Sequence, residues 1–389
     1  MFRILTFNNI SVKGLERFPR DHFETSSDIA HPDAIMLRSH KLQESEVADT
    51  VLAVGRAGAG VNNIPVEAMS RRGVPVFNAP GANANAVKEL TIAGLFLAAR
   101  NICQAWDFAR ALEGSDQQIN AEVEAGKKRF TGFELPGRTL GVIGLGAIGV
   151  EVANAAMALG MKVVGYDPQI TVHRAWQLSS QVEQAHSVDE LMSRADVVTI
   201  HAPLNEATRG LINGSRLAAA HPGLTVLNFA RSEVVDEQAI LEALDRDHLR
   251  AYICDFPSNA LKGRGNVIAL PHLGASTVES QENCAVMVAD QLREYLETGN
   301  IRNAVNFPEV VMPRGGKGNR LCVVNANVPN MLGRISTALA EAGLNIDDMY
   351  NKSHEELAYT VVDVEGAIPE SVVQAIAEVE GVLRVRVIE

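Results

Sequence analysis

The sequence predicts an α/β protein in three parts: two units of parallel strands alternating with helices, then a C-terminal ferredoxin-like unit. Three observations lead there. Over the first ninety residues short apolar runs alternate with polar segments, at Phe2–Phe7, Ala34–Leu37, Thr50–Val54 and Val74–Phe77, which is the pattern of a parallel α/β unit. From Arg138 six further runs of strand length are separated by helical stretches, the doubly wound pattern of a Rossmann domain. The last seventy residues read strand, helix, strand, strand, helix, strand, the β-α-β-β-α-β order of the ferredoxin-like fold.

Each element follows from its local pattern. Between the first strands Val66–Arg72 is helical, and Ala84 to about Ala111 carries apolar residues at near-helical spacing with no proline, so one long helix is expected there. The second unit's strands are Thr139–Ile143, Lys162–Tyr166, Val197–His201, Thr225–Asn228, Ala251–Asp255 and Asn266–Leu270. A helix from Ser276 to about Thr298 should return to the first unit. Residues 304–319, "AVNFPEVVMPRGGKGN", are rich in Pro and Gly and read as a linker. The final elements are Arg320–Ala326, Leu332–Glu341, Leu344–Ser353, Ala358–Val364, Pro369–Ala377 and Val382–Ile388. The expected domains are therefore 1–93 with 278–303, 94–277, the linker 304–319, and 320–389.

Composition narrows the function. Of 389 residues 47% are hydrophobic and 21% charged, and 35 basic against 47 acidic side chains give a net charge of −12. Such a chain is a poor ligand for nucleic acid or an anionic membrane. Cys103, Cys254, Cys284 and Cys322 form no C-x-x-C pair and have no histidine at metal-ligand spacing, so no metal is expected and a reducing compartment fits. The first residues form a strand pattern without a signal-peptide h-region, and no apolar run approaches the ~20 residues of a membrane span. A soluble, cytoplasmic protein is expected.

The most informative stretch is "TLGVIGLGAIGVEVANAAMALGMKVVGYDP". Gly144, Gly146 and Gly149 form G-x-G-x-x-G directly after a strand and open a helix. The first permits a tight turn, the second lets backbone approach a pyrophosphate, and the third lets helix and strand pack closely. The N–H groups at Ala147 and Ile148 would hold the phosphates. Asp167, eighteen residues past Gly149, ends the next strand. An acid there bonds the ribose hydroxyls and repels a 2′-phosphate, so NAD is expected rather than NADP.

Three more strands end in polar residues: His201-Ala202-Pro203, Asn228-Phe229-Ala230-Arg231-Ser232 and Cys254-Asp255. In a doubly wound sheet these ends face the ligand crevice. Arg231 can clamp a carboxylate with two N–H bonds and polarise a carbonyl. His272 follows the last strand through Pro271, and an imidazole there can exchange a proton with a substrate hydroxyl near neutral pH. The alternative for His272 is a histidine ahead of the following helix that bonds backbone only.

Segments "GRAGAGVNNI" (55–64), "NAPGANANAVKEL" (78–90), "GVIGLGAIG" (141–149), "HAPLNEATRGLI" (201–212), "NFARSEVVDEQAIL" (228–241) and "PHLGAST" (271–277) together resemble the D-isomer-specific 2-hydroxyacid dehydrogenases. The last seventy residues, with "NVPNMLGRIS" (327–336) and "GLNI" (343–346), resemble the amino-acid-binding ACT domain. The resemblance implies a flavodoxin-like substrate domain built from both ends of the catalytic segment, and a homodimer or homotetramer. It implies NAD-dependent oxidation of 3-phospho-D-glycerate to 3-phosphohydroxypyruvate, the first step of L-serine biosynthesis, with serine as a possible effector. It gives Arg231 the substrate carboxylate and carbonyl oxygen, and His272 the hydroxyl proton. Asp255 would hold the nicotinamide carboxamide, with Ala230 and Gly274 lining that site and His201, Ala202 and Pro203 against the cofactor. Arg38, Ser39, Arg56, Ala57 and Gly58 would approach the substrate, Arg38 as phosphate partner. Asn325, Asn327 and Asn345 fall at the effector-binding places.

Two departures stand out. The family places a glutamate after the strand ending in Asp255, in a D-V-F-x-x-E pattern, as partner of the histidine; here Asn259 stands there, and no glutamate lies between Asp255 and His272. Ser232 replaces the usual glycine after the arginine. Another D-2-hydroxyacid dehydrogenase, or an NAD-sensing binding protein that kept the fold without turnover, are the competing readings.

Overall fold

The computed structural model describes residues 1–314 and 318–389. It divides into two compact units, Met1–Asn83 with Val278–Glu389, and Ala84–Thr277. The expected boundary at 93/94 therefore moves to 83/84, because helix Ala84–Arg100 packs with the second unit. Its Val87, Leu95, Ala98 and Ala99 share a core with Leu140, Val142, Phe229 and Ile253.

The first unit opens with five parallel strands: β1 (Phe2–Phe7), β2 (Phe23–Ser26), β3 (Ala34–Leu37), β4 (Ala53–Arg56) and β5 (Val76–Phe77), in the order β2-β1-β3-β4-β5. This is the flavodoxin-like order. Helix Val278–Thr298 covers the sheet, turning Cys284, Ala285, Val288, Ala289, Leu292, Tyr295 and Leu296 inward at helical spacing. Gly55 in β4 admits the helix; a Cβ there would lie 2.5 Å from Val288 Cγ1.

The first half of the expected linker is part of this core. Ala304 bridges Phe77, and the N–H of Val305 donates to the carbonyl of Val76. Asn306 Oδ1 accepts from the N–H of Val76 (2.8 Å) while its Nδ2 donates to the carbonyl of Val74 (3.0 Å), so one amide continues the pairing at the sheet edge. Phe307, Val310 and Met312 are buried. Composition misled because Pro308 and Pro313 punctuate an otherwise apolar, edge-pairing segment. The end of that expected linker, 315–317, lies outside the described residues.

The second unit holds seven parallel strands: β6 (Thr139–Ile143), β7 (Lys162–Tyr166), β8 (Glu183–Gln184), β9 (Val197–Ile200), β10 (Leu224–Asn228), β11 (Leu249–Cys254) and β12 (Val267–Ala269). Their order, β8-β7-β6-β9-β10-β11-β12, is doubly wound, as expected. The sequence reading missed β2 in the first unit and, in this one, β8, two exposed polar residues with no apolar pattern. The expected single helix to Ala111 is two, Ala84–Arg100 and Ile102–Arg110, parted at Asn101 in the left-handed region (φ 50°). Asparagine tolerates that conformation better than most residues.

The C-terminal segment forms an antiparallel sheet of β13 (Gly318–Ala326), β14 (Ile346–His354), β15 (Leu357–Glu365) and β16 (Val382–Ile388), in the order β14-β15-β13-β16. Alternation splits its strands between two cores. Leu321, Val323, Val362 and Val364 meet Ile335, Leu339, Val372 and Ile376 of its two helices. Cys322, Val324, Tyr359 and Val361 face the opposite way and join Tyr295, Leu296 and Phe307. Arg320, fully buried, ties this sheet to the preceding chain: it grips both oxygens of Asp363 (2.7 and 2.8 Å) and donates to the carbonyls of Thr298 (2.8 Å) and Met312 (3.0 Å). Among the described residues no helix is long and apolar enough to cross a membrane.

Candidate active site

The second unit brings its candidate residues to one sheet edge by register. Tyr166, Ile143, Ile200, Asn228, Cys254 and Ala269 are successive cross-strand partners. The residues just beyond them are Asp167, Gly144, His201, Ala230 with Arg231, Asp255 and His272. Six strand ends thus present their polar residues side by side at the carboxyl edge, where open α/β sheets hold ligands.

The glycine loop has the geometry its spacing demands. Gly144 has φ 88°, and a Cβ there would strike the carbonyl of His201 at 2.8 Å. A Cβ on Gly149 would lie 1.9 Å from the carbonyl oxygen of Gly144, so this crossing of turn and helix requires glycine. Gly146 differs: it is exposed, and a Cβ there would meet nothing within 4 Å. That open cradle lies at the start of helix Ala147–Ala158, whose N-terminus has no side-chain cap. The first N–H groups, at Ala147 and Ile148, are left for an anionic ligand. Asp167 is fixed by two backbone donors, Leu145 to Oδ2 and Gln169 to Oδ1, both 2.8 Å. Each carboxylate oxygen keeps a further lone pair for a ribose hydroxyl. These residues fit a dinucleotide.

His201 points its ring inward. Nε2 pairs with Thr199 Oγ1 (3.0 Å), and Nδ1 is buried without a partner among the described residues. Burial pushes its pKa down to about 3, so it is neutral and cannot supply a proton near pH 7. Beyond it, Ala202 packs on the core, and the carbonyl of Pro203 accepts the Thr208 hydroxyl (2.6 Å).

Asn228, fully buried, sets the next loop. Its Nδ2 donates to the carbonyl of Arg231 (2.8 Å), and its Oδ1 accepts from the N–H of Ala230 (3.1 Å). Arg231 leaves that loop extended and exposed, with Nη1 on the carbonyl of Ala230 (2.7 Å). The sequence reading did not give Asn228 this role, although a buried amide at a strand end ahead of a glycine-free loop is a signal for it.

Asp255 is 1% exposed. Oδ2 accepts from the N–H of Gly274 (3.1 Å), while Oδ1 is buried with no partner among the described residues. Burial pushes this carboxyl above the usual range, against the Gly274 N–H and the nearby His272 and Arg231. An unpartnered buried acceptor suits an incoming amide donor, the carboxamide partner implied for Asp255. His272 sits in the left-handed region (φ 51°), its N–H shared between the carbonyls of Asp255 (3.0 Å) and Leu270 (3.1 Å). Its ring is perpendicular to Phe256 at 5.2 Å.

Asn259 is exposed and, among the described residues, makes no hydrogen bond to His272. No carboxylate among them lies within ion-pair distance of that ring. His272 acts through space on the Asp255 carboxyl.

In the first unit, Arg38 and Arg56 leave β3 and β4 next to each other. Arg38 Nη1 donates to Gln281 Oε1 (3.0 Å). Arg56 spans two loop carbonyls, Arg38 through Nε (3.1 Å) and Gly60 through Nη1 (2.5 Å). Arg56 thus shapes the loop holding Ala57 and Gly58, with Ala57 donating to Leu37 and Gly58 accepting from Ala79. The N–H groups of Ser39 and His40 both point to Asn8 Oδ1 (3.0 and 2.6 Å).

The three asparagines of the C-terminal unit are not together. Asn325 is buried, with Nδ2 on the carbonyl of Ala326 (2.7 Å) and Oδ1 unpartnered among the described residues. Asn327 Nδ2 donates to the carbonyl of Glu355 (3.2 Å). Asn325 registers with Ala358, whereas Asn345 precedes Ile346, which registers with Val364. Six residues of β15 separate those positions, about 20 Å at strand rise. One chain does not converge them on a single ligand.

Residues 102–274 match the family model described as "D-isomer specific 2-hydroxyacid dehydrogenase, NAD binding domain". The chain is 34% identical to D-3-phosphoglycerate dehydrogenase of Haemophilus influenzae, covering 95% of this chain and 89% of that protein. It is 32% identical to the Escherichia coli (strain K12) protein of the same name, over 92% and 87%. Among solved structures, an NAD+-bound 3-phosphoglycerate dehydrogenase of Entamoeba histolytica is similar, with TM-score 0.60 and 26% identity, over 78% of this chain and 98% of that one. The TT0316 protein of Thermus thermophilus gives TM-score 0.62 and 27% identity over 78% and 100%.

Proposed function

The chain belongs to the D-isomer-specific 2-hydroxyacid dehydrogenases, and from that premise we propose that it oxidises 3-phospho-D-glycerate to 3-phosphohydroxypyruvate with NAD, opening L-serine synthesis. The observation that carries the chemistry is the row of registered strand ends that sets Arg231, Asp255 and His272 beside the glycine loop. The substrate choice is supported by the names of its relatives, which are D-3-phosphoglycerate dehydrogenases over nearly the whole chain.

Each residue has a role that its placement suits. Arg231 holds the substrate carboxylate with its planar pair of donors and stabilises negative charge on the C2 oxygen. His272 takes the C2 hydroxyl proton on a ring nitrogen, and returns it in the reverse direction. Asp255, through its buried Oδ1, would hold the carboxamide of NAD. Bound NAD supplies the hydride acceptor. Arg38 is assigned to the substrate phosphate, and Asp167 to the adenosine ribose.

Four unpaired cysteines suit a reducing compartment such as the cytoplasm. Exposed Phe96, Ile102 and Trp106 on helices Ala84–Arg100 and Ile102–Arg110 support a homo-oligomer. The deciding experiment is NADH formation by the purified protein with 3-phosphoglycerate, compared with unphosphorylated D-2-hydroxy acids. Faster turnover of an unphosphorylated acid would replace this substrate. No turnover together with tight NAD binding would favour a non-catalytic NAD sensor, a reading to which the absent acid beside His272 gives some ground.

A further inference from the structure

We infer that Phe256 is the positioning residue of His272, orienting the imidazole by perpendicular ring packing where, among the described residues, no acid side chain grips it. This rests on the reading of His272 as the proton carrier.

The backbone of His272 is well held, and its side chain is not. The N–H is shared by two carbonyls, and the carbonyl accepts the Ser276 hydroxyl (3.4 Å). Neither ring nitrogen hydrogen-bonds to a protein group among the described residues, and the residue is exposed. An imidazole in that condition turns about two torsions, yet a proton carrier works only with its nitrogen within hydrogen-bond reach of the hydroxyl. Phe256 supplies the missing constraint. It follows Asp255 directly at the exit of β11 and packs against the core under the sheet. Its ring lies 5.2 Å from that of His272 at 89°, inside the range where perpendicular aromatic pairs attract. One partner is anchored and the other exposed, so the contact selects the orientation of His272. Phe256 adds no charge, so its contribution is to the orientation of the ring alone.

The test is Phe256→Leu with Phe256→Tyr beside it, in the full-length protein. Misplacing a reacting group by about 1 Å can cost on the order of 100-fold, so Phe256→Leu should lower kcat by about 10- to 100-fold. KM for the hydroxy acid and Kd for NADH should stay within about 2-fold, and the acidic limb of the pH profile should stay in place. Phe256→Tyr keeps the ring and should recover most of kcat. A second measurement does not depend on turnover: the ring-proton resonances of His272, assigned with His272→Gln, should be displaced by the Phe256 ring current and relax in Phe256→Leu. An unchanged kcat in Phe256→Leu, or His272 resonances that ignore the substitution, would overturn the inference. So would a loss of kcat that travels with lost NADH binding and lower Tm and is not recovered by tyrosine. A wild-type protein without turnover but with displaced His272 resonances would sink the proposed function and leave the ring placement standing.

Discussion

Asp255→Asn should stabilise the ligand-free protein at neutral pH and weaken its hold on NADH. Asp255 is almost wholly buried, bonded through one oxygen and unpartnered at the other, and burial raises its folded-state pKa. The sign follows from linkage. With the folded value above the unfolded one of about 3.9, the folded state binds more protons between the two, so stability falls as pH rises through that window. Above it the full deficit persists. Asparagine removes the charge and keeps an oxygen for the Gly274 N–H. Partial compensation by Arg231 and His272 leaves a deficit of roughly 1–2 kcal/mol. At about 2–4 °C per kcal/mol for a domain of this size, Tm should rise by about 2–8 °C at pH 7. That gain should shrink toward pH 4 and vanish below it. A hydrogen bond to a charged acceptor contributes about 1.5–3 kcal/mol, so NADH should bind roughly 10- to 150-fold more weakly. Thermal unfolding across pH 4–8 and fluorescence titration with NADH measure both effects. A lower Tm at pH 7 would mean that Arg231 and His272 outweigh burial, and unchanged NADH affinity would remove Asp255 from the nicotinamide site.

Four further outcomes are expected. Asp167→Ala should narrow the preference for NAD over NADP by one to two orders of magnitude, about 1.4–2.8 kcal/mol; a wild type that uses NADP equally well contradicts the assignment of Asp167. Arg231→Lys keeps charge without the planar donor pair, so kcat/KM should fall at least ~100-fold, and a mild loss would place the carboxylate elsewhere. Asn259→Glu should supply an anion near His272 and move the acidic limb of kcat/KM up by about one pH unit. An unmoved limb, with His272→Ala inactive, would show that position 259 does not reach the ring. Serine should bind the C-terminal unit at millimolar concentration or below by calorimetry. Because Asn345 lies at the opposite end of the sheet from Asn325 and Asn327, heat should appear only under conditions where the protein is at least dimeric; heat from a monomer would give the ligand a different site.

What the sequence made legible was local or repeated. Strand ends show as an apolar run stopping at a polar residue, and parallel pairing then lines up Asp167, Arg231, Asp255 and His272 without further information. The glycine loop was equally readable, because its G-x-G-x-x-G spacing is local and Gly149 answers a steric demand made by Gly144, although the carbonyl of His201 that also confines Gly144 comes from another strand. Elements without a pattern were lost. Strand β8 is Glu183-Gln184, edge residues with no side to bury, and the pairing of Asn306 with β5 crosses 230 positions of chain. Asn101 interrupts a helix whose apolar spacing continues across it. The same limit applies to the site. The sequence could say that an acid is absent from position 259, since absence at a place is local. It could not say what orients His272 instead, because Phe256 meets that ring from sixteen positions earlier in the chain, through the pairing of β11 with β12. Nor could it separate Asn325 and Asn327 from Asn345, which only the antiparallel register of β13, β14 and β15 does. Contacts that depend on which strands become neighbours are decided by the packing of the whole sheet, and there the structure adds most to the chemistry.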